Sequence, residues 1–146
     1  MVARKYGNLY ERFAPLGAIS SYESAAMYND AKWIRIASFH KLKQNDYVRT
    51  LLSGSQIVIG VDTWSSFFDP TSRVLSIEDT NGSSMGRHCC RIVGYENYGQ
   101  NTVFHIGNSW GNSWGVDGYA RVDSSWLNQA VFEAYSMTIP AINYLG

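Results

Sequence analysis

Apolar and polar positions repeat with two different periods in the first half of this 146-residue chain. Residues 33–39 alternate apolar and polar side chains over part of their length, which predicts a strand. Asn45 is a suitable N-cap for a helix with one apolar face, and Gly54 is expected to end that helix. A run of apolar residues at 57–61 then predicts a strand that is buried on both faces. Residues 1–31 show a looser apolar pattern, which predicts only a short helix at 21–30.

The second half of the chain has mainly the two-residue period of strands. Further strands are predicted at 88–95, 102–108, 118–122 and 131–138. One short turn of helix is predicted at 124–127. Asp69-Pro70 predicts a turn, and the polar run at 81–84 predicts a loop. The pattern as a whole favours an α+β fold that is dominated by an antiparallel, barrel-like sheet with a few short helices.

Composition limits the classes of function. The formal net charge is zero and only 16% of the residues are charged, so neither nucleic acid nor a membrane surface is an expected partner. No apolar run reaches the 18 or so residues of a membrane span, and the basic N-terminus lacks the apolar segment of a secretory signal. Two adjacent cysteines do not form a disulfide framework. These observations favour a cytoplasmic or particle-associated protein.

A series of short motifs lies between residues 86 and 119. Gly86-Arg87-His88 is followed by a doubled Asn-Ser-Trp-Gly sequence at 108–115 and by Gly118-Tyr119. This series resembles the histidine and asparagine half of the papain-like cysteine peptidases. In that family a cysteine thiolate attacks a peptide carbonyl, a histidine moves protons and an asparagine orients the histidine. The resemblance covers roughly residues 22–138.

The resemblance implies a fold and roles for individual residues. The chain is expected to form one partial papain-like domain, with an irregular lead-in at 1–31, the barrel-like half at 32–138 and a tail at 139–146. His88 is the expected acid and base, and Asn108 the residue that orients it. Trp110 and Trp114 are expected to support the pair, Trp110 by covering the hydrogen bond between them. No metal and no cofactor are expected.

The family's nucleophile motif, C-G-[SA]-C-[WY], does not occur in these 146 residues. The family places its histidine about 130–150 residues after the cysteine, so the nucleophile is expected roughly 40–60 residues before Met1. The glutamine that contributes to the family's oxyanion hole is expected there too. The resemblance therefore covers one half of an active site.

Neither Cys89 nor Cys90 is an expected substitute for the missing nucleophile. Adjacent strand residues point to opposite faces, so Cys90 should share the face of His88 and Cys89 should point away. Both are expected to pack in the core as small apolar side chains. Arg87, a fixed positive charge beside His88, would oppose a second positive charge on the imidazole and so weaken a thiolate–imidazolium pair.

The resemblance also assigns a substrate groove. Gly60 and Val61 match the part of the family's barrel that lines it, and Arg87 is expected near its edge. Phe67 and Phe68 are expected either at that edge or, more simply, in the packing of the core or surface.

Three functional hypotheses remain open at this point. In the first, the chain is a papain-related protein without its own nucleophile, inactive alone and acting as a structural or binding component of a larger assembly such as a phage particle. In the second, it is the C-terminal part of a split cysteine peptidase that hydrolyses peptides once a cysteine-bearing chain is supplied. In the third, it is a truncated gene product that retains no activity. A protein partner or a second copy is expected to cover the face around His88, Trp110 and Trp114.

Overall fold

A computed structural model describes residues 36–138 of the chain, except for the side chain of Tyr98. The residues group into two units, one formed by Met1–Phe39 with Met137–Gly146 and the other by His40–Ser136. Of the first unit the structure describes 36–39 and 137–138, so the predicted helix at 21–30 lies outside the described residues. The candidate site lies entirely within the second unit.

Seven strands and three short α-helices follow one another along the described residues. The strands are β1 Ser38–Lys41, β2 Ile57–Thr63, β3 Val74–Leu75, β4 Gly86–Tyr98, β5 Asn101–Gly107, β6 Tyr119–Asp123 and β7 Val131–Thr138. The helices are α1 Tyr47–Leu52, α2 Ser65–Phe68 and α3 Ser124–Ala130, with 3-10 turns at Gln44–Asp46 and Ile77–Thr80. Among the described residues, no helix has the length and apolar character needed to cross a membrane.

The strands form a single sheet in the order β1-β7-β2-β4-β5-β6-β3. β2 runs antiparallel to both β4 and β7, and β5 runs antiparallel to both β4 and β6. Only the two-residue strand β3 is parallel to its neighbour, β6, among the pairings that the structure describes. The predicted α+β class with a mostly antiparallel sheet is therefore confirmed.

One face of β2 and β4 is buried under the helices. Ile57, Ile59 and Val61 are fully buried, and Ile59 pairs across the strands with the buried Cys90. Trp126 and Leu127 of α3 complete the core on this side. Because side chains alternate along a strand, the residues between these buried positions point to the opposite face of the sheet.

Several predicted boundaries differ from those in the structure. Of the strand that was predicted at 33–39, residues 36 and 37 are not in a strand and β1 begins at Ser38, while 33–35 lie outside the described residues. Asn45 is not an N-cap but lies inside the 3-10 turn that precedes α1. Gly54 ends α1 as predicted, with a φ of 80° that favours glycine. The short elements α2 and β3 have no periodic pattern in the sequence and were not predicted.

Asp79 holds the segment after α2 in place. Its carboxylate accepts hydrogen bonds from the Arg73 guanidinium and from the backbone N–H of Ser76, while its carbonyl accepts one from the Ser66 hydroxyl of α2. The hydrogen bond from Arg73 is the largest of the effects that lower the pKa of Asp79 below its ordinary value. The carboxylate is only 11% exposed. Its ionised form therefore stabilises the fold.

We expect Asp79→Asn to lower the free energy of unfolding at pH 7 by about 1–3 kcal/mol, because the substitution removes a charged acceptor from these donors. A lowered pKa contributes stability above the unfolded value of about 3.9, and that contribution is lost as the pH falls through the folded value. The difference between the two proteins should therefore shrink below about pH 4. Urea unfolding at pH 7 and pH 3 measures it.

Asp69→Asn is the matched control, since Asp69 is an exposed carboxylate at the end of α2. It should change the free energy of unfolding by about 0.5 kcal/mol or less. An Asp79 effect that is equally large at both pH values would show that the stabilisation does not come from the ionised carboxylate.

Candidate functional site

His88 lies near the start of β4, where the strand leaves the polar loop at 81–84. It pairs with Val61 of β2, and its side chain is half-buried. The edge of its ring faces Phe67, with the ring centroids 6.1 Å apart. The position therefore combines a rigid strand backbone with partial access to solvent.

Asn108 directly follows β5 and is hydrogen-bonded to His88. The His88 Nε2 and Asn108 Oδ1 atoms are 2.8 Å apart, so the predicted contact between these side chains is present. The same Oδ1 accepts the backbone N–H of Ser109 at 2.8 Å. Since a backbone N–H can only donate, this second bond identifies the amide oxygen and requires His88 Nε2 to be the donor. In the neutral imidazole the lone pair then lies on Nδ1, which is available for a proton.

The amide nitrogen of Asn108 has no comparable role. Among the described residues it is buried without a hydrogen-bond partner. The backbone N–H of Asn108 donates to the carbonyl of Gly118 at 3.1 Å, which fixes the residue at the mouth of the loop. Asn108 therefore acts on His88 through a single oxygen atom whose orientation is set by backbone contacts.

Trp110 packs against the imidazole as predicted. The centroids of the two rings are 4.6 Å apart with an angle of 35° between the planes. Phe68 stacks on Trp110 at 5.3 Å, and both aromatic side chains are partly exposed, 48% for Phe68 and 39% for Trp110. Trp110 therefore shields one side of the His88 ring from water, which strengthens the hydrogen bond to Asn108.

Trp114, the second tryptophan of the doubled motif, has a different environment. It is buried, and its indole N–H donates to the carbonyl of Phe67 at 2.8 Å. It is therefore not part of the exposed face that a partner was expected to cover. The turn that connects Trp114 to β6 requires Gly115, because a Cβ at this position would lie 2.2 Å from the carbonyl oxygen of Tyr119. Gly115 also has a φ of 59°.

Phe67 lies in the core, which was the simpler of the two expectations for it. It is fully buried and lies at the centre of an aromatic cluster with ring centroids 5.1 Å from Trp114 and 5.8 Å from Trp126. It was expected either at the groove edge or in ordinary packing. Nothing in the local pattern distinguishes it from Phe68, since the short helix α2 that separates their directions has no sequence signature.

The structure places only some of the predicted groove residues in a groove. A groove with a volume of about 350 Å³ opens beside His88, and Gly60 and Arg87 line it. Val61 is fully buried in the core, so its assignment to the groove was wrong. The reason is the strand period, since Val61 faces the opposite side of β2 from Gly60. Sequence reasoning missed Phe132 and Glu133 of β7, which also line the groove.

The two cysteines also face opposite sides of β4. Cys90 is buried, and desolvation is the main cause that raises the pKa of its thiol to about 12. Cys89 is exposed and lines the groove, so the expectation that it packs in the core was wrong. A buried thiol on the core side is not a nucleophile at neutral pH, because the thiolate is the reactive form. Within residues 36–138, no group of His, Cys, Asp and Glu side chains is placed to hold a metal ion.

Comparison with known proteins gives a consistent result. A family model described as papain family cysteine protease matches residues 13–139. Mouse cathepsin O is 32% identical over 80 residues, which cover 55% of this chain and 25% of cathepsin O. An uncharacterised peptidase C1-like protein of Acanthamoeba polyphaga mimivirus is 31% identical over 108 residues, covering 69% of this chain and 34% of its own length. The chain thus spans well under half the length of these curated relatives.

Solved structures agree with the predicted papain-like fold. Xylellain, a cysteine protease from Xylella fastidiosa, matches with a TM-score of 0.77 and 25% identity over 94% of this chain and 58% of its own. Digestive procathepsin L 3 from Tenebrio molitor larval midgut also has a TM-score of 0.77, at 17% identity, over 93% of this chain and 45% of its own. The second likeness shows the fold alone.

The difference in burial between Cys89 and Cys90 predicts a difference in their reactivity. We expect one equivalent of iodoacetamide to label the folded chain at neutral pH, at Cys89, and a second to label Cys90 only after unfolding in urea. Intact-mass measurement with peptide mapping checks this outcome. Equal labelling of both thiols in the folded protein would show that β4 opens and that Cys90 is not held in the core.

Proposed function

This chain belongs to the papain family of cysteine proteases, and we propose that it supplies the histidine and asparagine of a cysteine peptidase site. In this proposal the attacking cysteine comes from sequence outside these 146 residues. Assembled with that cysteine, the site hydrolyses peptide bonds; without it, the chain hydrolyses nothing.

The observation that carries the proposal is the hydrogen bond between His88 Nε2 and Asn108 Oδ1. Because Nε2 is the donor in this bond, Nδ1 is the ring nitrogen that can take a proton from a thiol and return it to a leaving amine. Trp110 covers the ring, as a water-excluded proton relay requires. A histidine whose role is only structural needs neither a defined tautomer nor a ring nitrogen that is left available for a proton.

Arg87 does not argue strongly against catalysis. Its Nε donates to the Asp62 carboxylate at 3.3 Å, and its guanidinium lies 4.5 Å from the centroid of the Phe132 ring. Asp62 therefore offsets the positive charge that the sequence placed beside His88. The unfavourable effect of Arg87 on an imidazolium is correspondingly smaller than the sequence alone predicts.

The second candidate function is a binding or structural component that catalyses nothing, for instance within a phage particle or another large assembly. Its support is the lack of a usable nucleophile, since Cys90 is buried and Cys89 lies on the opposite side of β4 from the His88 side chain. Without a nucleophile the covalent step is lost, and the histidine alone has no partner to activate. The two candidates differ in whether adding a cysteine-bearing chain produces hydrolysis.

The decisive experiment is co-production of this chain with a segment that carries the Gln…Cys-x-x-Cys-Trp type of motif, sought in the neighbouring coding sequence. We expect hydrolysis of a fluorogenic peptide only when both are present. His88→Ala should then lower kcat by about 10²–10⁴, because it removes the general acid and base. His105→Ala is the matched control and should leave the rate unchanged, since His105 lies against Glu96 on the surface of the sheet.

Three outcomes would contradict the proposal. The first is hydrolysis by this chain alone that His88→Ala abolishes. The second is an assembled enzyme that is indifferent to His88→Ala. The third is assembly with the cysteine-bearing chain and no hydrolysis at all, which would favour the binding component.

A partner surface is the second part of the proposal. Phe68 and Trp110 form an exposed aromatic pair beside His88, and a cysteine-bearing chain or a second copy would cover it. We expect light scattering at micromolar concentration to show association, and Phe68→Glu to shift the protein towards monomer. Leu52→Glu is the control, because Leu52 is 71% exposed on α1 and outside this pair. A wild-type monomer at all concentrations would contradict the expectation.

A further inference from the structure

The loop that leads into His88 is held by hydrogen bonds and not by burial. Its residues 81–86 are all exposed, and the glycine at position 82 gives the backbone a wide choice of paths. The indole N–H of Trp64 donates to the carbonyl of Gly82 at 3.2 Å. Trp64 directly follows β2 and is only 6% exposed, so this bond connects the exposed loop to the core.

The residue before Trp64 holds the other end of the same loop. The backbone N–H of Met85 donates to the Thr63 carbonyl at 2.7 Å, and the Thr63 hydroxyl donates to the carbonyl of Gly86 at 3.0 Å. Outside the sheet pairing, the other described hydrogen bonds of this loop are made within it or to the turn before it. Two consecutive residues therefore fix both ends of the loop, and His88 follows two residues later.

Trp64 is connected to His88 by a second route. Its carbonyl accepts the backbone N–H of Phe67 at 2.9 Å, and the centroid of the Phe67 ring lies 6.1 Å from that of the imidazole. Trp64 thus contacts both the backbone that precedes His88 and the residue that packs against its ring. Because hydrogen bonds weaken steeply with misalignment, a displaced imidazole would lose part of its bond to Asn108.

We propose that Trp64 is a positioning residue for His88. Its indole N–H, together with Thr63, holds the loop so that the imidazole meets Asn108 with Nε2 as the donor. The inference rests on the proposed function, because it concerns the proton carrier of the same site. The bond to Asn108 selects the tautomer of His88, so a loop that is free to move makes the form with a proton on Nε2 less favourable.

The alternative role of this bond is only to satisfy a buried indole N–H. The fold does not impose that requirement on every tryptophan. Trp126 is fully buried, and its indole N–H has no hydrogen-bond partner among residues 36–138. Trp64 and Trp126 belong to the same core cluster, so the main difference between them is the bond to Gly82. Trp126 therefore provides the matched comparison.

The test measures the tautomer of His88 in the isotope-labelled chain, from the chemical shifts of its two ring nitrogens at about pH 9, where an ordinary imidazole is neutral. Trp64→Phe removes the indole N–H and keeps an aromatic ring. We expect it to raise the share of the form with a proton on Nδ1 by about threefold or more. Amide hydrogen exchange at residues 86–90 should become about fivefold faster.

Two further variants assign the effect. Trp126→Phe also removes an indole from the core, but it should leave the tautomer ratio of His88 unchanged. Thr63→Val keeps the shape of the side chain and removes the donor to Gly86, so it should change the ratio in the same direction as Trp64→Phe. This second variant also tests the proposal if Trp64→Phe does not fold. Urea unfolding of each variant separates a change in global stability from the local effect.

A Trp64→Phe chain that is less stable but keeps the wild-type tautomer ratio would overturn the proposal, because a purely structural tryptophan gives that result. An equal change of the ratio in Trp126→Phe would also overturn it, since core packing would then be the cause. If Trp64→Phe does not fold, an unchanged ratio in Thr63→Val has the same meaning.

The tautomer is measured on this chain alone, so its result does not depend on hydrolysis. A changed tautomer ratio in a chain that never hydrolyses peptides supports the positioning role and contradicts only the peptidase function. In an assembled enzyme, Trp64→Phe should lower kcat about fivefold and change KM by less than about twofold, because it displaces the proton carrier and not the substrate. An active enzyme whose kcat is indifferent to Trp64→Phe contradicts only the positioning role.

Discussion

The packing around Phe67 determines how the separate parts of the site meet. Its buried ring contacts His88 of β4, Trp110 and Trp114 of the loop after β5, and Trp126 of α3, with centroid distances between 5.1 and 6.1 Å. Its carbonyl also accepts the indole N–H of Trp114. The imidazole thus rests on a cluster whose members come from four different segments of the chain. A buried aromatic cluster of this kind has few alternative arrangements, because interiors are close-packed.

The two copies of the Asn-Ser-Trp-Gly motif have different structural roles within one loop. Asn108 and Trp110, from the first copy, contact His88 directly. Trp114 and Gly115, from the second copy, fill the core and allow the chain to pass close to Tyr119. The second copy therefore holds the loop in the shape that the first copy needs. A protein that had lost all chemistry would still require the second copy for folding.

Local patterns predicted the long strands, whereas the resemblance of the motifs at 86–119 to the papain family implied the His88–Asn108 contact. It did not predict α2, because this single turn is held by tertiary contacts such as the hydrogen bond from Ser66 to Asp79. The groove was predicted only in part. Gly60 and Val61 are neighbours in sequence but face opposite sides of β2, and the position of Phe132 follows from a register shift that a sequence does not reveal. Exact registers depend on pairings between distant strands.

The start of β4 presents two different surfaces. His88 and Cys90 lie on the side of the strand that faces the aromatic cluster and the core, whereas Arg87 and Cys89 lie on the opposite side. The groove that Arg87 and Cys89 line also reaches His88. In the proposed function, a group that is bound in the groove therefore lies beside the proton-transfer site, because the alternation of side chains along one strand brings both surfaces together.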